Sequence, residues 1–141
     1  MSVTAHFYTK AIQDCLIGAG INWTSDTLKV ALLGSGYTPN LNVDHVWSDI
    51  SSNEVSGTGY TAGGATLGST TQSISGGVLT LGGANTVWSS STITANYAVI
   101  YDTSVSNKLL VIVEFGGSVS STAASFTIAW NASGIVTMTC S

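Results

Sequence analysis

The sequence predicts a mainly β protein: an antiparallel β-sandwich, jelly-roll-like, of about seven to nine short strands with one N-terminal α-helix. Three observations predict it. Helical periodicity is confined to the first twenty residues, whereas short runs rich in Val, Ile, Thr and aromatics fill the rest. Glycine clusters cut those runs at strand length. About seven to nine such runs with turn signals between them have the spacing of a β-sandwich.

Taken in order, residues 4–17 predict the helix. Ala5, Tyr8, Ile12, Cys15 and Ala19 fall on one stripe, with Thr4 as N-cap and Gly18 and Gly20 as terminators. This helix packs on the edge of a sheet or meets its copies around a symmetry axis. "TLKVALL" (27–33) is a strand, and "GSGYTPN" a turn whose Pro39 fixes φ. "VDHVWSDIS" (43–51) is an irregular helical turn, and "GYTAGGATLGS" alternates only weakly. "SISGGVLTLGG" is the clearest hairpin, with Gly76-Gly77 as a two-residue loop. A strand then ends at Trp88, followed by a Ser-rich link, a strand over 93–101, a turn over 102–107 and the strand "KLLVIVEF". "ASFTIAW" and "GIVTMTC" form a last hairpin around residues 131–134. No repeat or linker divides the chain, so one domain is expected over 1–141: helix about 4–17, sandwich about 27–140.

Tyr97–Tyr101 and Leu109–Val113 do not alternate; both faces are apolar. Such strands need two covers. The second cover is expected from the helix or from a neighbouring subunit, and burial there is worth roughly 1.5–3 kcal/mol per large side chain.

The chain is 44% hydrophobic but only 7% charged, and residues 55 to 101 contain no Asp, Glu, Lys or Arg. A free monomer normally keeps a charged surface for solubility. A surface of Ser, Thr, Gly and Asn suits contact with protein, sugar or a crowded assembly. With three lysines, no arginine and a net charge of −4, the chain lacks the basic footprint of a nucleic-acid partner. No apolar run approaches membrane-spanning length, and the N-terminal residues lack a leader's basic and apolar regions. The Asn22 and Asn131 sequons are read as accidents of a Ser/Thr-rich composition. Cys15 and Cys140 have no metal-type spacing and read as thiols rather than a disulfide.

Chemistry is scarce. Residues 57–62, "GTGYTA", match a dinucleotide-binding turn, yet no helix-forming residues follow and no acidic residue stands about 20 positions on. The glycines are expected to serve tight turns and close backbone approach. Asp44-His45 with a distant Ser lacks a G-x-S-x-G elbow, so His45 is expected on a surface turn. Asp44, Asp49 and Glu54 lack calcium-loop spacing. Trp23, Trp47, Trp88 and Trp130 offer flat faces for sugar, core or interface. No catalytic residue, metal or cofactor is expected.

"WTSDTLKVALLGSGYTPN", "SSNEVSGTGYTAGGATL", "WSSSTITANYAVIYD" and "FTIAWNASGIVTMT" together resemble a group of small structural proteins of tailed bacteriophages, over roughly residues 5–139. The resemblance implies a β-rich, non-enzymatic virion component: a capsid decoration (cement) protein on the outer head surface. Its implied partners are the major capsid protein lattice and copies of itself, as a trimer or other small oligomer. The alternative is a tail or fibre component that binds host glycan, which requires an aromatic exposed in a concave, polar-rimmed site. A cell-wall hydrolase would need a nucleophile–base pair, which the sequence does not offer. Candidate interface residues are Tyr8, Ile12 and Cys15 of the helix stripe, the anchors Trp47 and Trp88, and Tyr60 of the Gly-rich loop.

Overall fold

Eight strands build two antiparallel sheets in a computed structural model that describes residues 3–139. Cys140 lies outside them. The elements are β1 (Thr4–Phe7), α1 (Thr9–Leu16), β2 (Leu28–Leu33), α2 (Trp47–Ile50) and β3 (Ala65–Thr66). They continue with β4 (Thr71–Ser75), β5 (Val78–Gly82), β6 (Thr86–Asp102), β7 (Lys108–Ile128) and β8 (Val136–Thr139). One sheet has the order β1-β7-β6-β2-β3 and the other β4-β5-β8. The two form a β-sandwich around a shared core.

The expected helix over 4–17 is shorter, because its first residues form β1. Thr4 and His6 are exposed while Ala5 and Phe7 are partly buried, the alternation of a strand, and all four pair with β7. Tyr8, not Thr4, stands at the N-cap of α1; its side chain caps nothing, and the Leu41 carbonyl accepts from the Thr9 N–H instead. The end is as expected. Ile17 is the C-cap, and Ala19 N–H reaches back to Asp14 O at 2.9 Å in a Schellman-type closure around Gly18.

β2 and the β4–β5 hairpin form as the sequence indicates. Gly76 and Gly77 both have positive φ (56° and 78°) at the hairpin turn. Two expectations fail. The Ser-rich link after Trp88 is not a link but part of the 17-residue β6, which pairs with the 21-residue β7 on both sides of its bulges. And "GIVTMTC" does not hairpin with "ASFTIAW": β8 pairs with β5, so the segment after Ile128 crosses into the other sheet.

The long β6–β7 ribbon bends. Phe115 and Phe126 are eleven residues apart on β7, about 36 Å of extended chain, yet their ring centroids lie 6.3 Å apart. Three irregularities between Trp88 and Tyr97 produce the curl. Ser90 and Ala123 take positive φ (49° and 47°) at two of them, and Phe115–Ser118 bulge opposite Asn96 at the third. Ser91, fully buried at the inside of the bend, donates to the Ala124 carbonyl and shares a 2.7 Å hydrogen bond with Ser121.

The doubly apolar strands are covered from within the chain. Tyr97, Val99 and Tyr101 point to one face. There Tyr37 meets Tyr97 edge-on (5.4 Å, 85°) and Trp47 stacks on Tyr101 (4.9 Å, 6°). On the other face Ile100, Val111 and Phe7 are cross-strand neighbours beneath α1 and β5. The second cover therefore needs no neighbouring subunit.

Candidate functional site

Four polar clusters pin loops to this sandwich. In the first, Asp14 on α1 is buried, and its Oδ2 lies 2.8 Å from His45 Nε2 and 3.1 Å from Lys108 Nζ. His45 is thus half-buried and paired, not on a free surface turn as expected. Burial alone would raise the Asp14 pKa, but hydrogen bonds from His45 and Lys108 hold it below the usual carboxylate range. A depressed carboxylate stabilises the fold above its ordinary pKa of about 3.9 and loses that contribution as pH falls through the folded value. Asp14→Asn is expected to cost about 2 kcal/mol at pH 7, since Lys108 keeps only part of its hydration. Urea unfolding should show that cost shrink below pH 4.

In the second cluster Tyr8 donates to Tyr37 (2.9 Å), which donates to Asp44 Oδ2 (2.6 Å). Burial first, then the neighbouring carboxylate, pushes the Tyr37 phenol far above its ordinary range. Asp44 therefore serves Tyr37 and the Asn40 amide rather than the His45 ring. In the third, Glu54 Oε1 accepts from Tyr60 OH (2.7 Å) and the Gly63 amide (2.6 Å), while Tyr60 oxygen accepts from the Leu32 amide. Asp49 accepts the His45 and Val46 amides ahead of α2. The three acids noted in sequence thus take separate donors, and among the described residues no three His, Cys, Asp or Glu side chains gather for a metal.

The fourth cluster is a carboxyl pair. Asp102 is fully buried at the end of β6, with Oδ1 accepting the Ser104 and Val105 amides and Oδ2 unpartnered. Burial and the adjacent Asp26 carboxyl raise its pKa to about 6. Burial of an Oδ2 that no donor reaches, together with the negative charge of Asp26 beside it, penalises ionisation, so the fold favours the protonated form. That contribution is complete below about pH 4 and is lost as pH rises through 6. Asp102→Asn supplies an amide donor in the same shape. It is expected to stabilise the protein at pH 7 by about 1–3 kcal/mol and to leave stability at pH 4 unchanged in urea titrations.

The Gly-rich loop packs backbone on backbone. A Cβ at Gly59 (φ 78°) would sit 2.8 Å from Ser91 Cα, and one at Gly64 (φ 84°) 2.6 Å from the Val30 carbonyl carbon. The glycines let the loop lie against β6 and β2.

The six candidate interface residues divide. Tyr8 and Trp88 are core side chains, 0% and 5% exposed, and have no surface left for a partner. Tyr60 and Trp47 are half-buried and spend their rings on Trp88 and Tyr101. Ile12 and Cys15 line an apolar cleft of about 330 Å³ between α1, Trp23 and Leu81. Leu16 and Ile17 beside it are 82% and 72% exposed, an apolar patch that the predicted stripe missed. A second cleft, about 380 Å³ and mostly polar, holds Trp130 on the face of the β4–β5 hairpin. In the sequence nothing distinguishes Trp130 from the other tryptophans; its place beside the hairpin does.

Comparison with protein-family models, curated proteins and solved structures finds no match to this chain.

Proposed function

We propose that this chain is a non-enzymatic structural component of a tailed-bacteriophage virion, a decoration (cement) protein on the outer head surface that binds the major capsid protein lattice and trimerises with its own copies. The observation that carries the reading is the surface between Val55 and Tyr101. It contains no charge, and it includes an edge strand, β4, whose five residues are all exposed. An edge without lysine, proline or bulge is a template for pairing, and Ile74 on it is 76% exposed. The Leu16–Ile17 patch adds apolar area on α1.

Magnitudes fit this use. A trimer subunit on a lattice makes three contacts of about 800 Å² each, roughly a third of its 6969 Å² surface. Burying that much of an ordinarily charged surface would desolvate many ions; here few would be affected. Binding only to the assembled lattice stabilises it by mass action, without chemistry.

The test uses heads purified without this protein. Adding the protein back should saturate the lattice at a fixed ratio and raise the temperature at which heads rupture. Failure to bind assembled heads contradicts the proposal. The tail or fibre reading, with host glycan as ligand, is favoured by one observation, the Trp130 cleft.

A further inference from the structure

We infer that the Trp130 cleft is a binding site for a neutral pyranose sugar. Register defines its floor. Thr71 pairs with Gly82, Ser73 with Thr80, and Thr80 with Thr137, so these residues share the outer face of the small sheet. The alternate residues Leu79, Leu81 and Met138 line the apolar cleft on the inner face. Thr71, Ser73 and Thr80 thus present hydroxyls to the outer cleft, and the 130–134 segment forms its wall.

The wall is fixed before any ligand arrives. The backbone N–H of Trp130 donates to Asn85 Oδ1 (3.0 Å), that of Ser133 to Asn131 Oδ1 (2.8 Å), and that of Ile135 to the Leu81 carbonyl (2.7 Å). Pre-set walls cut the ordering cost of binding. The 380 Å³ volume lies in the range of small-molecule sites.

Chemistry selects the ligand. No charged side chain lines the cleft, so no ion pair favours an anion or cation there. Hydroxyls and amides match a polyhydroxylated ring, and an indole offers an apolar surface for its C–H face. The Trp130 indole N–H is buried without a partner, a donor left unsatisfied in the unliganded chain. A peptide fits less well, because the cleft lies on the sheet face and not along the open β4 edge, where main-chain pairing would occur. The inference does not depend on the protein's place in a virion, and binding is read on the isolated chain.

The test is an amide-resolved NMR titration with a panel of neutral mono- to tetrasaccharides containing glucose, galactose, mannose, rhamnose or N-acetylhexosamine. Each is taken to about 10 mM, enough to fill a site with a Kd of roughly 1 mM. At least one member should shift the Trp130 indole signal and the Gly82, Gly83 and Ser133 amides. Thr80→Val and Trp130→Phe, which preserve shape and ring, should each weaken that binding about tenfold. The inference is overturned by no shift with any saccharide, by shifts clustered elsewhere, or by an affinity in both variants equal to that of the parent. Response to a neutral Gly/Ser peptide but to no sugar overturns the ligand class.

Discussion

Trp88→Ala is expected to remove about 4 kcal/mol of folding stability, whatever it does to a partner. The indole is 5% exposed and sits where the curled ribbon meets the Gly-rich loop, 5.8 Å from the Tyr60 ring and 6.0 Å from Phe126. Phe126 in turn touches Phe115 across the bend of β7. Deleting the indole opens a cavity at a junction held by two bulged strands, which have little freedom to collapse. Trp88→Phe keeps a ring there and should cost clearly less. Urea midpoints of the purified variants measure both. An alanine variant as stable as the parent would return Trp88 to the surface role that its sequence context suggested.

Gly64→Ala is expected to cost about 4 kcal/mol or more. Positive φ alone penalises a non-glycine residue by roughly 1–2 kcal/mol. Here the added methyl would also collide with the Val30 carbonyl and come within 2.7 Å of Ala31 Cα. Those atoms are backbone in β2, paired on both sides by β3 and β6, and cannot rotate away. Gly76→Ala is the control: its φ is also positive (56°), but nothing lies within 4 Å of the new methyl. The control should cost only about 1 kcal/mol. Thermal and urea unfolding of the pair separate collision from conformational preference, and equal losses would contradict the packing of the loop on β2.

Local signals account for what the sequence made legible. β2, the Gly76-Gly77 hairpin and the apolar cores of β6 and β7 each carry propensity and turn chemistry within a few residues. The alternation Thr4-Ala5-His6-Phe7 was equally visible, but four residues of period two lost to a longer stripe of helical spacing. The ribbon through Ser89-Ser90-Ser91 was not legible, since serines usually mark links and here they sit at a bulge whose buried hydroxyl is satisfied across the strand. Long-range pairings were hidden for a different reason. The contacts of Asp14 with His45 and Lys108, and of β8 with β5, join residues far apart in the chain, and no local pattern encodes the partner. The same distance hid the Trp130 cleft, whose floor and wall come from separate segments.

The absence of charge between Glu54 and Asp102 bears most on function. The double burial of β6 and β7 no longer argues for oligomers, because Tyr37, Trp47, α1 and β5 cover those strands. Assembly now rests on the open β4 edge, the Leu16–Ile17 patch and the uncharged face. The measurement that tests it most directly is the copy number of this protein in purified virions relative to the major capsid subunit, by quantitative mass spectrometry. The account predicts a number comparable to the capsid subunit; a handful of copies would move the protein to the tail or a fibre, and none would contradict a virion role altogether.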